Sequence, residues 1–287
     1  MMEFAALAQP IPFSSARGGP IEQVFAGSTD CHMHFFDERV AKRPGATVTH
    51  PDATPEQYLA YRRIIGTSRC VVVQPSVYGY DNRPTISGLA RLGDSARGIA
   101  VVRPEITDAA LQDLHVAGIR GVRFNLVQPG GLTLADARTM GPRLLGIGWH
   151  IQIQLPPDGM TPVLEHLAAI PGQLVFDHMG RVGDADGAEM KTLLRLIDNG
   201  RTWVKLSAPY LDSRTPSPRY ADRALVAQRL AEAAPDRMLW VSDWPHATET
   251  TKPDDATLFD VLSDWVPGDV ARRKVLVDNP AALYGFL

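Results

Sequence analysis

The stretch Thr29-Asp30-Cys31-His32-Met33-His34-Phe35-Phe36-Asp37 decides how this chain is read. Side chains alternate between faces along a strand, so Asp30, His32 and His34 are expected on one face and Cys31 and Met33 on the other. The stretch carries no glycine-rich phosphate turn, which an open doubly wound sheet usually places after its first strand. With this first strand at 30–35, apolar runs rich in β-branched residues recur at 69–75, 98–103, 121–126, 149–155, 174–178, 203–207 and 238–243. Amphipathic stretches at 55–65, 86–92, 107–117, 133–145, 160–169, 189–199 and 220–234 separate them, and a further pair follows from 255. Thr107 before DAALQDLHVAG and Asn199-Gly200 after KTLLRLID are helix start and stop signals. Eight strands, each followed by a helix, predict an α/β protein of the (β/α)8 TIM-barrel type.

At 287 residues, with 45% hydrophobic and 21% charged, the chain can bury a sizeable core, which excludes disorder, collagen and coiled coil. Residues 1–26 are rich in Pro, Gly, Ser and Ala without periodicity and read as an N-terminal extension, leaving 27–287 for the barrel. Lys plus Arg number 29 against 32 Asp plus Glu, net −3, with no basic run, so nucleic acid is not an expected partner. No apolar run is long enough to span a membrane, and MMEFAALAQP lacks a basic start followed by a long apolar stretch; a cytoplasmic protein without membrane contact is expected. Cys31 and Cys70 each lie in an apolar strand and read as reduced thiols, so cysteine-based metal chemistry is absent. The oligomeric state is not legible.

Reactive groups of a barrel sit at the C-terminal ends of its strands. Two imidazoles two residues apart on strand one suit metal ligation or polarisation of a carbonyl. Strand six ends Asp177-His178-Met179-Gly180-Arg181 and strand eight Ser242-Asp243-Trp244-Pro245-His246, which bring another imidazole and another carboxylate to the same rim. Asp177 reads as a helix N-cap or as an orienter of a ring N–H. Asp243, facing the histidines, can deprotonate a water, whereas a purely structural Asp there would need a cationic partner. Trp244-Pro245 is expected to shape the wall, and His246 is either wall or substrate contact.

These motifs resemble the amidohydrolase superfamily, in particular its lactonase branch, which takes in 2-pyrone-4,6-dicarboxylate lactonases, sugar lactonases and galactarolactone isomerase. The resemblance runs from about Thr29 to Phe286. It includes QPSVYGYDNRPT after strand two, similar to a serine-bearing loop, GVRFN on strand four, similar to a substrate-binding arginine motif, LVFDHMGR, and the terminal NPAALYGF. Members with two metals need a bridging Lys or Glu on strand four and a His ending strand five. This chain offers Arg123 and Asn125 on the first and Gln152 and Gln154 on the second, so a dinuclear centre is not expected. The resemblance implies a site without cofactor, as in the pyrone-dicarboxylate lactonases. The alternative is one divalent ion such as zinc held by His32, His34, His178 and Asp243.

The implied reaction is hydrolysis of a carboxylated lactone of the 2-pyrone-4,6-dicarboxylate or aldarolactone type. Asp243 would activate water while ring N–H groups of His32, His34 and His178 polarise the carbonyl. Arg123 is suited to fork a substrate carboxylate; its plainer reading is a barrel ion pair, disfavoured because no acidic residue on a neighbouring strand end except Asp243 is available to it. Ser76 and Arg181 are further candidates for that anion, and Asn125, Gln154, Tyr78 and His246 for other substrate contacts. Tyr80, Asn82 and Lys205 read equally as mouth, wall or surface. After GVRFN the pyrone-dicarboxylate enzymes carry a second arginine, where this chain has Leu126-Val127-Gln128-Pro129-Gly130-Gly131, similar to the isomerase. The isomerase lacks the full HxH and the strand-eight Asp, both present here, which favours hydrolysis. Lactone isomerisation and a mononuclear-zinc decarboxylase on the same scaffold are the alternatives.

Overall fold

Short apolar runs bounded by turn residues form eight strands: β1 (Thr29–Met33), β2 (Arg69–Val73), β3 (Ala96–Ala100), β4 (Ile119–Asn125), β5 (His150–Gln154), β6 (Leu174–Phe176), β7 (Thr202–Leu206) and β8 (Met238–Trp240). They pair in parallel and in chain order to make one sheet that curls into a nearly closed barrel. The computed structural model describes residues 11–128 and 130–287, so the first ten residues of the expected extension, and Pro129, lie outside the described residues. Helices α1 (Pro55–Ile65), α2 (Arg83–Leu92), α3 (Asp108–Val116), α4 (Leu134–Gly146), α5 (Leu164–Ala168), α6 (Ala188–Ile197) and α7 (Ala221–Ala233) connect successive strands. After β8 come α8 (Asp255–Asp260), α9 (Leu262–Trp265), α10 (Asp269–Arg273) and α11 (Asn279–Tyr284). Thr107 caps α3 by accepting from Ala110 N, and Thr54 and Thr133 form capping boxes with Gln57 and Asp136. None of the helices among the described residues is long and apolar enough to cross a membrane.

The barrel has two apolar layers and one polar one. Cys31, Val71, Val73, Ile99, Val175 and Leu239 pack together inside, and Tyr284 and Phe286 at the chain end join that cluster. Cys70, Val72, Ile151, Ile153, Phe176 and Val204 belong to the larger cluster shared with the helices. Toward the C-terminal ends of the strands the inward positions turn polar, with Arg123, Gln152, Lys205 and Asp177 all buried.

One register shift changes the reading of β1. Asp30 pairs with Cys70 and Met33 with Val72, so three steps along β1 match two along β2. The extra residue is a bulge, which breaks strict alternation. Met33 therefore packs with the helix-facing cluster and Cys31 with the interior one, while the Asp30 carboxylate accepts from Tyr58 Oη on α1 at 2.9 Å. The expectation that Asp30 shares a face with His32 and His34 is corrected. Asp30 instead stitches the β1–β8 seam, accepting from Ser242 N at 2.9 Å and Ser242 Oγ at 2.6 Å. Beside it Asp243 N donates to His32 O and His34 N to Trp244 O.

β6 and β8 end earlier than the apolar runs suggest, because His178 (φ 50°) and Asp243 (φ 64°) adopt left-handed backbone. For residues with a β-carbon this costs of order 1 kcal/mol each, and such strain concentrates where a side chain must be aimed.

Candidate active site

The bulge and the two left-handed turns bring four sequence-predicted groups to the mouth of the barrel. His32 Nε2 lies 3.1 Å from His34 Nε2, and Asp243 Oδ1 lies 3.9 Å from the first and 3.7 Å from the second. The His178 ring is 5.3 Å from that of His32, and its Nδ1 is 3.0 Å from Ser207 Oγ. A cavity of about 200 Å³ opens onto His34, His178, Asp243, Arg123, Gln154 and Arg181. His32 is fully buried behind His34.

Proton positions follow from the fixed partners. His34 Nδ1 lies 2.7 Å from the carbonyl oxygen of Val73, an acceptor only, so Nδ1 carries the proton and the neutral ring has a lone pair on Nε2. His32 must then donate its Nε2–H to His34, which leaves His32 Nδ1 as an acceptor, with Lys205 Nζ and Asp177 Oδ1 each 3.2 Å from it. This corrects the expectation that all three rings aim N–H groups at a carbonyl. Of the three rings only His178, whose Nδ1 meets a Ser207 hydroxyl able to donate or to accept, is free to present a ring N–H to the cavity.

Burial sets the charges. Desolvation, helped by Lys205, holds the His32 ring well below the ordinary imidazole range, and desolvation with the charge of Arg123 brings His34 down to about 4. Desolvation also lowers His178. For Asp243 desolvation acts upward, but the facing His178, His32 and His34 outweigh it and bring the carboxyl down to about 2. At neutral pH the site therefore holds one carboxylate facing neutral rings.

Beneath them lies a buried ionic layer that the sequence did not announce. Lys205 Nζ donates to Gln152 Oε1 at 2.7 Å and stands 3.3 Å from Asp177 Oδ1. Asp177 Oδ2 accepts from Gln152 Nε2 at 3.1 Å. Lys205, His32 and Arg123 draw the Asp177 carboxyl well below its ordinary range despite desolvation in the opposite sense. Asp177 Oδ1 also stands 3.2 Å from His32 Nδ1 and so faces that ring, but orienting a ring N–H there would require the other tautomer of His32. Lys205 is the only cation on β7, at an inward position in an otherwise apolar run; that was the signal available.

The remaining candidates divide. Arg123 Nε is 3.4 Å from Asp177 Oδ2, so an acidic partner does exist and that part of the argument for Arg123 is corrected. Its terminal nitrogens nevertheless reach toward the mouth, donating to Gln154 Oε1 at 2.6 Å and Ser76 Oγ at 3.4 Å. Asn125 Nδ2 donates to the same Ser76 Oγ at 2.7 Å. Arg181 is locked to Asp212 by two bonds of 2.5 and 2.7 Å. His246 is fully buried, bound to Asp255 through Nε2 and to Tyr210 Oη through Nδ1, so it is a support and not a substrate contact. Tyr210 Oη also donates to Asp243 Oδ2 at 3.0 Å, a link that sequence reasoning missed. Tyr78 uses its hydroxyl on the backbone of Asp37. Asn82 is bonded to the backbone of Tyr80 and Val101 and holds a loop. Trp244 is fully buried against Phe35, Tyr58 and Tyr61, beneath the site and not on its wall.

The donor set can be tested for a metal. Tetrahedral zinc with bonds of about 2.1 Å separates its ligand atoms by about 3.4 Å. The distances among His32 Nε2, His34 Nε2 and Asp243 Oδ1 bracket that value, and Val73 O and Asp177 stand at the opposite ring nitrogens as metal-bound histidines require. These three residues fit one ion. His178 belongs to a separate group with His32 and Asp177, so the four-residue set expected from the sequence is corrected to three.

An eight-stranded barrel with imidazoles and a carboxylate on its C-terminal rim defines an enzyme of the hydrolytic barrel class. The chain belongs to the amidohydrolase family, whose pattern matches residues 29–286. It is 36% identical to a 2-pyrone-4,6-dicarboxylate hydrolase of Comamonas testosteroni, covering 90% of each chain. It is 34% identical to a 4-sulfomuconolactone hydrolase of Rhizobium radiobacter, covering 95% of each. It is 32% identical to a D-galactarolactone isomerase of Agrobacterium fabrum, covering 90% of this chain and 91% of that one.

Proposed function

We propose that the protein hydrolyses a carboxylated lactone, with Asp243 as general base. The observation that carries this reading is the Asp243 carboxylate 3.7 Å from His34 Nε2 at the edge of a cavity that Arg123 also lines. Asp243 takes a proton from water as the water oxygen attacks the lactone carbonyl. The N–H of His178 stabilises the oxyanion, Arg123 with Ser76 and Gln154 holds the substrate carboxylate, and His32 and His34 fix the carboxylate's surroundings. When the ring C–O bond breaks, the proton passes from Asp243 to the departing oxygen, giving an open hydroxy or keto acid.

The Lys205–His32–His34–Val73 chain gives every ring nitrogen a partner without an ion, which supports metal-free catalysis. If bound at His32, His34 and Asp243, a divalent ion would polarise the carbonyl and acidify water. The names of the relatives support a lactone with acidic substituents, and a carboxylate at Asp243 placed to activate water supports hydrolysis over isomerisation. Both cysteines are free and buried, which supports a reducing, cytoplasmic setting.

The test is a pH-indicator assay of purified protein against 2-pyrone-4,6-dicarboxylate, 4-sulfomuconolactone and galactarolactone, with and without chelator. Ring opening releases a proton and isomerisation does not. Acid release that survives chelation is expected; loss on chelation overturns the metal-free mechanism, and product without acid release overturns hydrolysis.

A further inference from the structure

Beside the reaction cavity lies a larger one of about 420 Å³ that shares Ser76, Arg123, Asn125 and Gln128 with it. Its far wall carries two more guanidinium groups, Arg43 and Arg103. Neither has a carboxylate partner among the described residues. Arg103 is stacked on Tyr80 with its charge 4.4 Å from the ring centroid, and Arg43 Nε donates to the Ser76 carbonyl at 3.0 Å. Both are thereby held in place while keeping donors to spare. The one carboxylate on the lining, Asp81, is neutralised by Arg83 through contacts of 2.5 to 3.1 Å.

Ser76 stands between the two cavities. Its Oγ accepts from Asn125 Nδ2 and Arg123, so its own O–H remains to be donated. Like charges arranged around one cavity repel each other unless an anion enters, and guanidinium groups match carboxylate and sulfonate oxygens in fork geometry.

We infer that Arg43 and Arg103 form a second anion subsite, which takes an acidic substituent on the substrate distinct from the one held at Arg123 and Ser76. This rests on the lactonase reading and narrows it to doubly acidic lactones. Sequence reasoning saw only Gln128 where related enzymes carry a second arginine; the structure supplies that charge from the loops after β1 and β3.

The test compares substrates that differ by one acidic group. The pairs are 2-pyrone-4,6-dicarboxylate against 2-pyrone-6-carboxylate, and 4-sulfomuconolactone against muconolactone; they separate a carboxylate from a sulfonate as the group bound. For the Arg43→Met/Arg103→Met double variant, KM for the doubly acidic member of the preferred pair is expected to rise by about 100-fold with kcat within about two-fold, and the singly acidic member to change less than about three-fold. Equal effects on both members, or none on either, overturn the subsite. Binding of phthalate and benzoate, neither a lactone, is measured by calorimetry in wild type and in the double variant. Phthalate weakened by about ten-fold or more with benzoate unchanged supports the subsite even if no lactone is turned over, in which case only the lactonase reading fails. Phthalate binding unchanged by the double substitution overturns the subsite.

Discussion

Lys205 Nζ and His32 Nδ1 stand 3.2 Å apart in the interior of the barrel, and their contact favours, against an Asp177 carboxylate equally close, the tautomer that the HxH pair adopts. The ammonium favours a His32 Nδ1 that accepts, the Asp177 carboxylate at the same 3.2 Å favours one that donates, and the donor that His34 Nε2 requires tips the balance to a proton on His32 Nε2. A metal at His32 and His34 requires the reverse, with Nε2 bare and Nδ1–H turned to Asp177. Lys205 therefore opposes an ion twice, through the tautomer and through its own charge. Lys205→Met is expected to raise zinc affinity by about ten-fold or more, measured by competition with a chromogenic chelator. Histidine nitrogen NMR supplies an independent readout, since His32 should exchange its Nε2–H for an Nδ1–H on zinc addition. Zinc affinity equal to that of wild type would show that Lys205 does not set the preference.

Asp243→Asn preserves shape and removes the base. Turnover of the best lactone is expected to fall by about 10³-fold with KM changed by less than about three-fold, because the group acts on the water and not on the substrate carboxylate. Arg123→Lys should do the opposite, raising KM far more than it lowers kcat. Steady-state kinetics on the two variants checks the division of labour.

The free enzyme is predicted to keep a level kcat/KM from about pH 5 to 8. At neutral pH Asp243 is already ionised, with its carboxyl at about 2, and His34, at about 4, is neutral. As pH falls through about 4, His34 gains a proton on Nε2 and pairs with Asp243 3.7 Å away, withdrawing the base. The sign for stability agrees: a carboxyl depressed in the folded state contributes above its ordinary range, and that contribution is lost as pH falls toward 2. An acid limb centred above pH 6 would point instead to a histidine that burial has not lowered.

Tyr210 bridges Asp243 Oδ2 at 3.0 Å and His246 Nδ1 at 2.9 Å, and His246 in turn leans on Asp255. Asp255 outweighs desolvation and raises His246, which favours a ring that donates toward Tyr210, while the phenol donates to Asp243. Tyr210→Phe should lower kcat by about ten-fold without altering the fold, since one hydrogen bond to a carboxylate is lost. An unchanged kcat in the pH plateau would remove Tyr210 from the site.

The barrel was legible because apolar runs and helix caps report local structure directly, and Thr107, Thr54 and Thr133 act at helix starts. His32, His34, His178 and Asp243 were legible because strand ends in a barrel converge whatever the connections between them. What escaped the sequence depends on contacts between distant residues. The bulge that turns Asp30 away from the histidines has no signature in a period-two pattern. Arg181 and Asp212, 31 positions apart, meet only in the folded chain, and so do His246 and the Tyr210 that closes it off. Lys205 stood in plain view within WVKLS, but only the inward register of β7 distinguishes it from a surface lysine.

Asp30 provides the strictest test of how the site is held, because it touches no part of the cavity. Its carboxylate accepts from Ser242 N, Ser242 Oγ, Tyr58 Oη and, at 3.3 Å, His32 N. Desolvation pushes the carboxyl up to about 6 against these bonds, so it is mostly ionised at pH 7. Asp30→Ala leaves four buried donors without an acceptor and should cost about 3 kcal/mol, read as a lower urea midpoint at unchanged slope. Ser242 precedes Asp243, and His32 belongs to the imidazole pair, so kcat should fall together with stability. Ser242→Ala removes two bonds, the one its Oγ donates to Asp30 and the one it accepts from Trp244 N at 3.0 Å, and should cost about 2 kcal/mol while keeping the backbone contact that sets Asp243. If Asp30→Ala were to fold with full stability and full turnover, the β1–β8 seam would owe nothing to Asp30, and the placement of Asp243 would have to come from its left-handed turn alone.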